Sequence, residues 1–185
     1  MDKIVKHIES PLTEELIRTL RIGDAVLLSG IIYTARDMAH ARLMDMIKSG
    51  DKLPFDAEGS VIYYVGPSPA PPGRIIGSAG PTTSYRMDTF VPEMFETGMK
   101  GMIGKGPRSG DVKRLIVEKC GIYFGATGGA AALISKSIIE SEIIAFPEFG
   151  TEALRKLKVK DMPLIVINDS YGGDLYIEGV AKYKS

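Results

Sequence analysis

Residues 25–33 form an apolar run, Ala-Val-Leu-Leu-Ser-Gly-Ile-Ile-Tyr, that passes without a linker into Thr34-Ala35-Arg36-Asp37 and a helical spacing of Ala39, Leu43, Met44 and Ile47. The run reads as a buried strand, and the switch of period demands a sheet with a helix laid across it. The same pattern recurs along the chain. Strands are predicted over 59–65, 74–79, 98–106, 121–125, 138–146 and 163–169. Helices are predicted from the Thr13 cap to about Leu20, over 89–97 behind a cap at Asp88 or Thr89, over 108–119, after the glycines at 128–129, and over 151–157. Residues 1–12 read as extended, 50–60 as a polar connector and 66–73 as a rigid loop rich in proline and glycine. Gly172-Gly173 is expected to turn the last strand into an antiparallel partner over 174–178. The fold class is therefore α/β with a mixed sheet. At 185 residues, the expected organisation is a single domain over 1–185.

Charge narrows the function. Lysine plus arginine and aspartate plus glutamate each number 23, which removes the electrostatic footprint of a protein devoted to nucleic acid or an anionic membrane. A local anion site is compatible with that balance. No apolar run approaches the roughly 20 residues of a membrane span, and the N-terminus has no signal-peptide core, so a cytoplasmic location is expected. One cysteine, Cys120, excludes an intrachain disulfide and a three-cysteine cluster cradle; its apolar flanks make it a buried small hydrophobe. Two histidines, His7 and His40, are too few for a histidine-built metal site.

Chemistry concentrates in Gly80-Pro81-Thr82-Thr83-Ser84-Tyr85-Arg86-Met87-Asp88, where three hydroxyls, an arginine and a carboxylate follow a punctuated turn. Arg86 offers a planar fork of donors suited to a carboxylate or phosphate; the alternative on these residues alone is an ordinary Ser/Thr-rich turn with a solvated arginine. Arg36 sits at a strand-to-helix corner, against the dipole's preference, so it either points to solvent or is kept for an incoming anion. His40, one turn on, is either a partly exposed helix residue or a hydrogen-bond partner inside the corner. Lys105 lies between two glycines, which leave its ammonium unshielded; alone, it would be a solvated lysine on a tight turn. Gly128-Gly129-Ala130-Ala131-Ala132 lacks the spacing of a nucleotide cradle, so close packing of a helix on the sheet is preferred over anion binding.

Four blocks in order, 32–40, 80–88, 104–106 and 128–132, resemble the β region of the iron–sulfur hydro-lyases: class I fumarate hydratase and L-tartrate dehydratase. The likeness covers nearly the whole chain. It implies a swivelling β/β/α fold and a reversible addition of water to a dicarboxylate, a step of the tricarboxylic acid cycle. It also implies that a [4Fe-4S] cluster is held by a cysteine-bearing α subunit and not by this chain, which resembles the free β subunit of a two-subunit enzyme. By the same resemblance Thr82 occupies the position of the catalytic base, and Arg36, Arg86, Lys105 and Thr83 bind substrate. Asp37, His40 and Asp88 then orient these groups. The competing reading is a non-catalytic module of the same fold that holds a dicarboxylate. Joint presence of both arginines, Lys105 and Thr82 favours the enzyme.

Overall fold

The computed structural model describes residues 5–126 and 131–183. Its elements run β1 (Lys6–Ser10), α1 (Glu14–Ile17), β2 (Ala25–Thr34), α2 (Asp37–Ser49), β3 (Val61–Tyr63), a 3-10 segment (Ser84–Phe90), α3 (Val91–Glu96), β4 (Gly101–Gly104), α4 (Gly110–Glu118), β5 (Ile122–Gly125), α5 (Ala131–Ser137), β6 (Ile138–Ala145), a second 3-10 segment (Pro147–Glu152), β7 (Leu154–Asn168) and α6 (Leu175–Tyr183). Strands β1 to β5 are parallel neighbours in chain order. The long β7 runs antiparallel to β2, β5 and β6. Because β7 pairs with both β2 and β5, the ring β2-β3-β4-β5-β7 closes on itself, so the mixed sheet expected from sequence is a barrel with β1 and β6 added outside the ring.

Alternation along the strands splits the core in two. Val26, Leu28, Ile32, Tyr63, Phe124 and Leu164 belong to one buried cluster. Ile62, Tyr64, Met102 and Tyr123 face the other way and pack with Ala39 and Leu43 of α2, Met94 of α3 and Ile116 of α4. Consecutive residues such as Ile62 and Tyr63 serve different clusters, as period-2 geometry requires. Cys120 is buried in the first cluster, in agreement with its reading as a small hydrophobe. Among the described residues no helix is long and apolar enough to cross a membrane.

Four local expectations fail for identifiable reasons. Residues 151–157 are not an α-helix: 151–152 end the second 3-10 segment, and although Leu154 and Leu157 have helical spacing, pairing of β7 with β2 on one side and β6 on the other holds the chain extended from Leu154 on. Residues 174–178 open α6 instead of a strand, because Asp174 Oδ1 accepts the backbone N–H groups of Tyr176 (2.9 Å) and Ile177 (3.4 Å) as a helix cap would. Residues 74–79 form no strand and are tied to the preceding loop, Ser78 N–H donating to Ser68 Oγ at 2.8 Å. Neither Asp88 nor Thr89 caps α3; the 3-10 segment runs straight into it at Phe90, and no side chain bonds the helix start. The glycine loop after β5 falls at residues 127–130, outside the described residues.

The pairing of β2 shifts register between Leu28 and Gly30, opposite β7. Gly30 adopts φ +103°, and a Cβ there would lie 2.6 Å from the Ser10 carbonyl oxygen on β1. A bulge at that position requires glycine on both counts. Gly30→Ala is expected to lower unfolding free energy by about 2–3 kcal/mol in denaturant titration, from the strained backbone and the overpacked contact together.

Candidate active site

The five parallel strands point their carboxyl ends the same way, and the residues that leave β2, β3 and β4 meet at that edge. Arg36 follows β2 by two residues. Thr82 is pinned to the exit of β3, its N–H donating to the Tyr64 carbonyl at 2.7 Å. Thr83 bridges Lys105 in parallel register, just past the end of β4. Ser84 seals that junction: its N–H donates to the Lys105 carbonyl at 2.9 Å, and its Oγ accepts the Lys105 N–H at 3.1 Å. Gly104 makes the contact possible, since a Cβ there would collide with Ser84 Oγ. Residues far apart in sequence thus gather at the carboxyl edge of a parallel sheet, where α/β proteins commonly bind ligands.

Asp37, in the first turn of α2, organises the cations. Its Oδ2 accepts Arg86 Nη2 at 2.8 Å and lies 3.9 Å from Arg36 Nη2, so both guanidinium groups converge on one carboxylate oxygen. Arg86 Nη2 also lies 3.4 Å from Thr82 Oγ1. The Arg36 side chain is a quarter exposed and the Arg86 side chain about half. Buried Arg36 Nε has no hydrogen-bond partner among the described residues. Its guanidinium and stem lie along Gly66, where a Cβ would come within 2.9 Å of Nη1. Lys105 is exposed, and no described acceptor or carboxylate engages its ammonium. Thr83 is exposed beside it. The structure therefore brings Arg36, Asp37, Thr82 and Arg86 into one connected group, with Thr83 and Lys105 adjoining through the backbone.

Two residues read as supporting need separate accounts. His40 is the hydrogen-bond partner inside the corner, the second of its two sequence readings, and is buried, not partly exposed: its ring stacks on Phe90 (5.2 Å) and meets the edge of Tyr64 (5.6 Å). Its Nδ1 lies 2.9 Å from the Arg36 carbonyl, an acceptor, so Nδ1 carries the proton. Burial pushes its pKa down to about 4 against the opposing pull of that hydrogen bond, and the imidazole is neutral near pH 7. Asp88 does not touch the arginine pair. It accepts Arg108 Nε and the Ser109 N–H, each at 2.7 Å, at the entrance of α4.

Sequence reasoning missed two contributors. Glu152 sits between β6 and β7; its Oε1 lies 3.5 Å from Arg36 Nη2, and its Oε2 accepts the Met38 N–H at 3.0 Å. It supplies the helix-start acceptor that an arginine at the N-cap of α2 cannot. Arg108 has a fully buried side chain lying between the rings of Tyr64 (5.3 Å) and Tyr123 (5.0 Å). Its position after Gly106-Pro107 reads as a loop exit, and no local pattern marks it as buried. Three cations facing two carboxylates leave room for added negative charge, and two forked donors suit a carboxylate.

A family model described as Fumarase C-terminus matches residues 2–179. "Fumarate hydratase 2" of Leishmania major is 40% identical over 163 residues, covering 86% of this chain and 28% of that protein. "Fumarate hydratase class I, aerobic" of Escherichia coli K12 is 38% identical over 157 residues, 84% of this chain and 29% of that protein. "Putative L(+)-tartrate dehydratase subunit beta" of Methanocaldococcus jannaschii is 38% identical over 173 residues, 90% of this chain and 89% of that protein. The chain thus spans under a third of those two fumarate hydratases and nearly the whole of the dehydratase subunit.

The depressed pKa of His40 has a consequence for stability. The unfolded imidazole, near 6.5, takes up its proton before the folded one, near 4, so its contribution is complete above about pH 6.5 and is lost as pH falls toward 4. Unfolding titrations across that window are expected to show wild type losing about 3 kcal/mol more than His40→Gln.

Proposed function

The chain belongs to the Fumarase C-terminus family, and from that premise we propose that it is the β subunit of an iron–sulfur hydro-lyase, a class I fumarate hydratase adding water to fumarate to give (S)-malate. The observation that carries the reading is the convergence of Arg36 and Arg86 on one oxygen of Asp37. Fixed cations of that kind accept a carboxylate end of a dianionic substrate, and Lys105 stands ready for further negative charge. The partner is a cysteine-bearing α subunit, and the location is the cytoplasm. Exposed Met38 and Tyr85, each next to a residue of the arginine group, support a site covered by another chain. The domain is taken as one swivelling β/β/α unit over 1–185, a reading supported by the closed mixed sheet.

The residues of this chain do not fit a [4Fe-4S] cluster. Cys120 is buried in the core, and among the described residues no three His, Cys, Asp or Glu side chains are grouped to hold a metal. The cluster is assigned to the α subunit. What this chain supplies is binding and proton transfer. Arg36 and Arg86 hold a carboxylate, with Asp37 and Glu152 fixing their aim, while Lys105 and Thr83 line the adjoining edge. In the dehydration direction Thr82 takes the proton from the carbon next to the hydroxyl-bearing one, the C–H pair becomes the double bond and the hydroxyl group leaves with the Lewis-acid help that a cluster on the α subunit would supply; in hydration Thr82 returns the proton. A threonine hydroxyl is a weak base, and the Arg86 guanidinium 3.4 Å away favours its ionised form.

A second reading, the β subunit of an L-tartrate dehydratase, is favoured by the match in length to the M. jannaschii protein. Assay of both substrates decides between the two. In either case the isolated chain is expected to be inactive and to gain activity with its partner under anaerobic conditions; turnover by the chain alone would refute the shared site. In the reconstituted enzyme, Arg86→Lys is expected to lower kcat/KM by about 100-fold while leaving the thermal midpoint in place, because lysine lacks the fork. Thr82→Ala should depress kcat far more than it raises KM. Wild-type kinetics in either variant would remove that residue from its role.

A further inference from the structure

We propose that Arg108, with Asp88, is a positioning residue that sets the span between Arg86 and Lys105 and so selects the length of the dicarboxylate. Arg86 lies between two clasps that join the 3-10 segment to the chain leaving β4. The first is Ser84 on Lys105, with paired bonds of 2.9 and 3.1 Å. The second is Asp88, two residues beyond Arg86, which accepts Arg108 Nε and the Ser109 N–H, three and four residues beyond Lys105. Tyr123 Oη adds a strut, lying 2.9 Å from both Ser84 Oγ and the Gly106 carbonyl. The two cation-bearing segments are therefore fastened on either side of the ligand-binding groups.

The second clasp is unusual in being an ion pair out of water: the side chain of Arg108 is wholly buried and that of Asp88 is 11% exposed. Desolvation offsets most of the attraction in such a pair, so it is a poor source of net stability. What it fixes is geometry. Asp88 uses one oxygen on the guanidinium and the other on a backbone N–H, so neither segment can slide along the other without stranding a buried charge. The backbone segments that carry Arg86 and Lys105 inherit that fixed separation, and a site that grips two ends of a ligand with cations on anchored stems reads its length.

This inference rests on the reading of Arg86 and Lys105 as substrate-binding cations. Its test is the pair of inhibition constants for succinate and glutarate, saturated dicarboxylates of four and five carbons, on the reconstituted two-subunit enzyme. The variants are Asp88→Asn, which keeps shape and the acceptor for Ser109 while removing the charge, and Arg108→Lys. Each is expected to weaken succinate about tenfold and glutarate less than threefold, compressing the discrimination between them, since misplacement by a fraction of an ångström costs most for the ligand that fits best. A merely structural role lowers the active fraction and leaves both constants unchanged. That result, or equal weakening of both ligands, overturns the positioning role; Asp88→Asn alone decides if Arg108→Lys does not fold. Arg86→Lys is the separate control. If it leaves succinate inhibition intact, the reading of Arg86 as a substrate-binding cation fails, independently of what the pair does to discrimination.

Discussion

Pairing of β7 with two strands at once is the constraint on which the rest of this structure depends. A strand of 15 residues runs along β2 over most of the length of both and still reaches β5 with its last residues. That closes the ring and leaves β2, β3 and β4 as consecutive parallel staves with their carboxyl ends side by side. Arg36 and Lys105 need no special loop to find each other, and the loop after β3 returns Thr82 to the same edge. Each leaves, or is bonded to, the end of a neighbouring stave, and strands in a sheet stand only about 5 Å apart. Helices α2, α3 and α4, between the staves, pack on the second core cluster.

Electrostatics at this edge is arranged by carboxylates placed beside the cations. Two guanidinium groups near one another repel, and Asp37 resolves this by offering one oxygen to both. Its position in the first turn of α2 is also the one the helix dipole favours for an anion. Arg36 is held from the other side by Glu152. The aim of each arginine is fixed before ligand arrives, which lowers the entropic cost of capture. Lys105, exposed and without a carboxylate among the described residues, is the least committed of the three.

Much of this was legible in the chain. The apolar run into the Arg36 corner, the Thr13 cap and the helix within 108–119 follow from local pattern, and so does the grouping of Thr82 with Arg86 four residues on. What local pattern could not supply was pairing. Residues 151–157 satisfy helical spacing, yet 151–152 end a 3-10 segment and 154–157 are strand, because β2 and β6 claim the edges of β7 there. The burial of His40 depends on Phe90 and Tyr64 from other elements, and the Asp88 contact depends on Arg108 from beyond β4. Glu152 lies 116 residues beyond Arg36 and joins it only when β6 and β7 fold back on each other. Sequence identifies the groups that carry charge; the identity of their neighbours is a property of the closed sheet.

Glu152 binds two things that move together. One oxygen faces the Arg36 guanidinium and the other holds the Met38 N–H in the first turn of α2, so the hairpin formed by β6 and β7 is tethered to both the arginine and the helix that starts beside it. A tilt of that hairpin would turn Arg36 and loosen the start of α2 in a single motion. Orientation of the cation is thereby wired to the outermost strand of the sheet, some distance from any group that touches a ligand.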